Sequence, residues 1–208
     1  MKIGIITILN VNNYGAELQA FALHNKLKQM GYDNEIINYL YYKNPDFKKE
    51  PASKPLIKTN FKNKLKDFVL KWLDKYSSLK YPKIAKIRKQ RFDDFHKEHT
   101  VVSKVYNSYS ALYKAQLEYD TYIVGSDQVW NPNNGTNIAP FFLTFAPKKA
   151  KKIAYASSFG VGDVNQAFYP QYKEWLNNID CLATRESDGV QIIKEVTGRD
   201  AVHVVDPT

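Results

Sequence analysis

"KIGIITILNVNNYGAELQAFALHNKLKQMGYDNEIINYL", residues 2–40, decides the fold. It opens with "KIGIITIL", a near-continuous apolar run, which is the pattern of a strand buried on both faces. Behind it Ala16, Ala20, Leu23, Leu27 and Met30 recur at alternating spacings of four and three, one face of a helix, and Gly31 supplies the stop. "YDNEIINYL", 32–40, reads as a second strand. Strand, crossover helix and strand make a right-handed βαβ unit in a parallel sheet. The first run carries a single lysine and no small-residue cleavage site, so it reads as a strand and not as a secretory leader.

The alternation resumes further on. "YDTYIVG" (119–125), "KKIAYAS" (151–157), "DCLATR" (180–185) and "AVHVVDPT" (201–208) read as strands. Between them "QAFYPQYKEWLNNI" starts a helix with Pro170 in its first turn, and "ESDGVQIIKEVTG" is a short helix stopped by Gly198. The fold class is therefore α/β, a doubly wound, mostly parallel, Rossmann-like sheet. Residues 41–118 interrupt the pattern. Pro45, Pro51 and Pro55 mark a loop, and two helical stretches follow, one with Phe61, Leu65, Phe68, Trp72, Leu73 and Tyr76 on its apolar face, the other with Ile84, Ile87, Phe92 and Phe95. This stretch is expected to be a helical insertion in a single domain spanning 1–208.

The chain has 208 residues, 44% of them apolar, enough for one full domain with its own core. No apolar run approaches the roughly 20 residues of a membrane span. The lone cysteine, Cys181, can form no internal disulfide and is expected to be buried, in keeping with a cytoplasmic chain. The net charge of +9 is concentrated. Residues 40–104 hold 18 of the 30 Lys+Arg and 7 of the 21 Asp+Glu, a balance of +11, so the remainder sums to −2. A basic segment on a near-neutral body suits phosphate, nucleic acid or an anionic surface, so a peripheral membrane contact is one expectation there and a solvated lysine-rich face is the other. It carries no nucleic-acid reading motif, so no nucleic-acid partner is expected. His96 and His99 stand three apart on the second basic helix with no third ligand in view, and no metal site is expected; a solvated face is the simpler reading.

In an open parallel sheet all the strand C-termini point to one edge, where ligands bind. The loops at that edge are rich in polar residues: "NVNNYGA", "SDQVWNP", "SSFGVGD", "TRESDG" and "DPT". In the first, one asparagine can cap the following helix, while Asn12, Asn13, Tyr14 and Gly15 together suit a hydroxyl-rich or phosphorylated ligand at a helix N-terminus. There is no G-x-G-x-x-G, which disfavours a standard dinucleotide site. In the second, Ser126, Asp127, Gln128, Trp130 and Asn131 combine carboxylate, amides and an aromatic ring, a set that holds sugars, with Asp127 the candidate general base. Trp130 is equally consistent with the core. Ser157, Ser158 and Arg185 complete the edge, and Arg185 is the candidate anion contact.

The segments "MKIGIITILNVNNYGAELQAFAL", "YDTYIVGSDQVWNP", "KKIAYASSFG", "ATRESDG" and "VVDPT" resemble the polysaccharide pyruvyl transferase family and occur in its order. The resemblance implies one half of a GT-B-like, two-domain fold. It also implies transfer of a pyruvyl group from phosphoenolpyruvate, a donor substrate and not a cofactor, onto two sugar hydroxyls as a cyclic ketal in a bacterial-type surface polysaccharide or its nucleotide- or lipid-linked precursor. Family members continue past "DPT". The donor's cations and a catalytic histidine are expected there, so residues 1–208 are expected to fold without turning over alone. A glycosyltransferase using a nucleotide sugar and a non-catalytic carbohydrate-binding module are the rival readings.

Overall fold

The computed structural model describes residues 1–11, 13–48 and 82–208; Asn12 and the helix expected from Phe61 to Tyr76 lie outside the described residues. The chain begins with β1 (Lys2–Ile6), α1 (Tyr14–Gln29) and β2 (Asp33–Ile36), and continues with α2 (Pro82–His99) and α3 (Tyr109–Lys114). It then runs through β3 (Thr121–Val124), β4 (Lys151–Ala154), α4 (Tyr169–Asn177), β5 (Ala183–Thr184), α5 (Ser187–Thr197) and β6 (Val202–His203).

β1 is central, with β2 parallel on one side and β3 parallel on the other, and β4 lies beyond β3. Its residues serve two cores, as a strand covered on both faces must. Ile3 and Ile5 pack with Ala20, Leu23 and Ile36, and Ile6 with Tyr122, Val124 and the aromatic residues that follow β3. Gly4 lies against the Tyr119 ring, where a Cβ would come within 2.6 Å of Cδ2.

α1 starts and stops as its sequence dictates. Asn13 caps it, accepting from the amides of Gly15 and Ala16. At the other end Gly31 takes φ 86°, its N–H bonds the Lys28 carbonyl, and the Tyr32 N–H reaches back to Leu27. That is the Schellman closure, which favours glycine because of the left-handed backbone.

Bridges extend the four-stranded sheet at both ends. Beyond β4, Ile153 pairs with Cys181 and Ser157 with Thr184, bringing up the parallel pair β5–β6. Cys181 is exposed, not buried as expected, because strand alternation sends its neighbour Leu182 into the core instead. Beyond β2, Ile36 pairs with Val102 and Tyr39 with Tyr106, both parallel, through backbone bonds such as Ser103 N–H to the Ile36 carbonyl at 2.9 Å. Residues 82–106, read from sequence as part of an insertion, thus continue the alternation: α2 is a crossover and 101–106 the next extended segment. The chain winds outward from β1 through β2 in one direction and from β3 through β6 in the other. The reversal between β1 and β3 is the topological switch point, where such sheets open a crevice at their C-terminal edge. Among the described residues no helix is long and apolar enough to cross a membrane.

Candidate functional site

Backbone conformation singles out that edge. Of the five described non-glycine residues with positive φ, three follow strands there: Asn10 (59°) after β1, Asp127 (79°) after β3 and Ala156 (55°) after β4. Left-handed backbone at non-glycine positions costs free energy and gathers where function demands a particular turn. Asp127 turns the chain immediately behind Ser126, and its carbonyl accepts the Ser158 N–H at 3.0 Å, tying the loops after β3 and β4 together.

The charged centre is Arg185, at the end of β5. Its Nη1 donates to Asp206 Oδ2 at 2.8 Å and to Ser126 Oγ at 3.2 Å. Nη2 lies 3.7 Å from Asp127 Oδ1, and Nε 3.9 Å from Glu186 Oε2. Ser126 Oγ in turn donates to Asp206 at 2.5 Å. Burial opposes ionisation of Asp206, but the hydrogen bonds from Ser126, Arg185 and Thr208 outweigh it and hold the carboxyl below its ordinary value. One guanidinium is therefore ringed by three carboxylates. Arg185, expected to bind an anion, already has one in Asp206, and the local charge favours donors such as hydroxyls over phosphate.

Several expected ligand contacts turn inward instead. Trp130 is fully buried: its indole stacks on Phe142 with centroids 5.2 Å apart and planes 9° apart, and its N–H donates to the Phe141 carbonyl. The ring cannot stack on a sugar; its place is the core beneath the loop. Ser157 and Ser158 are buried too, Ser157 Oγ donating to the Gly125 carbonyl and Ser158 Oγ accepting from the Gly160 amide. They hold the loop together. Ser126 is equally buried and reaches the cluster only through its hydroxyl. Gln128 is exposed, with Oε1 accepting from Asn131 Nδ2 at 3.1 Å, so these two amides and Asp127 form the accessible part of the loop.

The loop after β1 is built differently from its expected role. Asn13 is consumed as the helix cap, while Tyr14 is 64% exposed with its ring 4.9 Å from Phe92 of α2. Gly15 donates its amide to the Asn13 cap. Sequence reasoning missed what lies beneath. Glu17, 2% exposed, accepts the Val11 amide through Oε1 and meets His96 Nε2 at 2.6 Å through Oε2. His96 is therefore no part of a solvated face, and among the described residues no group of three or more His, Cys, Asp or Glu is placed to hold a metal. Tyr41 was also missed; burial, with the charge of Asp127 adding to it, raises its hydroxyl pKa above the ordinary value. Tyr42 donates to the Asn10 carbonyl at 2.8 Å, and Asn10 donates to Asn38, so the β1 and β2 loops are joined. The aromatic run "YLYY" was the only signal for these tyrosines.

A mostly parallel, Rossmann-like sheet with polar, backbone-strained loops at its switch point defines the class: an α/β domain of the kind in which ligands bind at the C-terminal edge. Within that class the chain belongs to the polysaccharide pyruvyl transferase family, whose model matches residues 13–208, nearly the whole chain and every loop of the edge after the first. Membership makes it a transferase of polysaccharide biosynthesis. No match was found among the curated proteins or among the solved structures.

Proposed function

We propose that this domain holds the sugar acceptor of a transferase that moves a pyruvyl group from phosphoenolpyruvate onto two sugar hydroxyls as a cyclic ketal, on a surface polysaccharide or its precursor. Family membership supports the reaction class. The observation that carries the acceptor assignment is the Arg185 cluster, in which Asp127, Glu186 and Asp206 outnumber the guanidinium. Carboxylates accept hydrogen bonds from hydroxyls, whereas a phosphate would have to displace Asp206 to reach Arg185.

In the reaction the enol methylene of the donor takes a proton, leaving an oxocarbenium-like carbon. One sugar hydroxyl adds to that carbon and loses its proton; phosphate leaves; the second hydroxyl closes the ring and loses its proton. Diol and phosphoenolpyruvate thus give ketal and inorganic phosphate. Asp127 is the base for a hydroxyl, reachable at the loop surface and oriented by the Gln128 amide, which donates to its Oδ1 at 2.8 Å. Gln128 and Asn131 take further hydroxyls. The donor's phosphate and carboxylate need cations other than Arg185.

Thermal unfolding in the presence of nucleotide sugars or phosphoenolpyruvate tests the assignment. A ligand at 100 times its Kd adds about 2.7 kcal/mol. Stabilisation by sugar but not by phosphoenolpyruvate is the expected result; stabilisation by phosphoenolpyruvate alone would reverse the roles. Product analysis checks the reaction itself, because a glycosidic bond in place of a ketal would make the chain a glycosyltransferase.

A further inference from the structure

α2 is polarised along its length. Lys83, Lys86, Arg88, Lys89 and Arg91 fill its first three turns, and the first carboxylate is Asp93. Ile84 and Ile87, which the sequence placed on an apolar inward face, are 60% and 52% exposed. With Arg91 they occupy positions i, i+3 and i+7, a single stripe. The buried face of the helix is a different one: Phe92 and His96 turn toward α1, Phe92 against Tyr14 and His96 on Glu17.

The stripe does not stop at α2. Across a cavity of about 280 Å³ lined by Arg88, Arg91, Phe92 and Phe95, the first turns of α1 present Tyr14, 64% exposed, and Leu18, 46% exposed; the one carboxylate in the lining, Glu17, is 2% exposed and engaged by His96. The Arg88 guanidinium lies 5.6 Å from the Tyr14 ring centre and 5.9 Å from that of Phe92. Large apolar side chains set among arginines and lysines, on three helical turns whose own sequence carries no Asp or Glu, are how a protein rests on an anionic lipid interface. Cations meet headgroups while aliphatic and aromatic groups enter the acyl boundary.

We propose that the first three turns of α2 and the first turns of α1 form a membrane-surface contact for anionic lipid. Tyr14 directly follows the loop after β1, so the contact adjoins the C-terminal edge of the sheet. Docking there sets the Asp127 loop beside the bilayer, where a lipid-linked glycan would present its hydroxyls. The contact does not depend on the reaction proposed above, and vesicle binding reads it out without turnover.

The test is partition of the full chain onto phosphatidylcholine vesicles with and without phosphatidylglycerol, at several salt concentrations. Binding to the anionic vesicles, weakening as salt rises, is expected. The triple substitution Lys83→Gln, Lys86→Gln, Arg91→Gln should lower the partition coefficient roughly 100-fold. A control that removes equal charge from the opposite edge of the sheet, Lys148→Gln, Lys149→Gln, Lys151→Gln, should lose far less. Ile84→Ala with Ile87→Ala, at unchanged charge, should weaken binding roughly 10-fold. All these side chains are exposed, so the variants should fold, with circular dichroism as the check. No binding to anionic vesicles at low salt, equal losses in the two triples, or unchanged partition of the isoleucine variant would each overturn the proposal.

Discussion

The Thr7 hydroxyl donates a 2.7 Å hydrogen bond to the Ser126 carbonyl, across 119 residues of sequence and across the switch point between β1 and β3. Gln19 of α1 completes the clamp by donating to the same hydroxyl at 2.9 Å. All three residues are buried, so the bond lies where water cannot replace it. The Asp127 turn is anchored by the residue immediately before it.

Thr7→Val keeps the shape and removes the donor. It leaves the Ser126 carbonyl without a partner in the interior and takes one acceptor from the Gln19 amide, which keeps the Ala16 carbonyl at 2.8 Å; the unpaired carbonyl costs about 1–3 kcal/mol. Urea unfolding should show that loss as a lower midpoint at constant slope, and each kcal/mol should lower Tm by roughly 2–4 °C for a chain of this size.

Asp127→Asn should separate chemistry from fold. Asparagine tolerates the left-handed backbone at this position and can still accept from the Gln128 amide, so Tm should change little. It cannot serve as a base. In a transferase assay that supplies the family's donor-binding portion with this chain and follows phosphate release from phosphoenolpyruvate, kcat should fall by roughly 100-fold or more. A variant that retains full kcat would remove Asp127 from the reaction.

Trp130→Ala opens a void between Phe142 and Phe159 and orphans the Phe141 carbonyl. A loss of about 3–5 kcal/mol is expected, measured by denaturant unfolding. Trp130→Phe should recover most of the packing. If the ring served a ligand instead, the alanine variant would keep its stability and lose only sugar binding.

His24 governs part of the response to acid. Burial holds its pKa below the ordinary value, against the pull of Asn34 and with Lys28 adding to the depression. The ring is neutral: Nδ1 faces the Asn34 carbonyl oxygen at 2.6 Å and Nε2 faces the Val101 amide, which fixes Nδ1–H as the donor. For a base with a lowered folded pKa, the unfolded chain binds the proton first. The contribution of His24 is therefore complete above about pH 6.5 and lost as pH falls toward the folded value. Urea midpoints of the native chain and of His24→Gln, compared between pH 8 and pH 5, should converge on acidification.

Much of the fold was legible because the alternation is local. The apolar run of β1, the four-and-three spacing on α1 and Gly31 each act within a few residues, and the structure follows them. What could not be read depends on distance. Residues 101–106 form a short extended segment that only β2 identifies as part of the sheet. Glu17 and His96 are 79 positions apart, and each sits in a helix where charge ordinarily faces water. At the site the loops were legible and the direction of their side chains was not. An aromatic residue just past a strand can point either way, and Trp130 points inward because Phe142 and Phe159 offer it a core. Arg185 stood out as the one arginine of the edge loops, but Asp206, 21 residues on, meets its charge in the folded chain.

The left-handed residues behind β1, β3 and β4 also set how freely this edge can change. Asn10, Asp127 and Ala156 hold backbone angles that β-branched and bulky side chains resist. In a saturation library, glycine, asparagine and aspartate should dominate the survivors at these three positions, whatever sugar is supplied. Gln128, exposed on the same loop without that constraint, is where a selection for a new acceptor would find room to work.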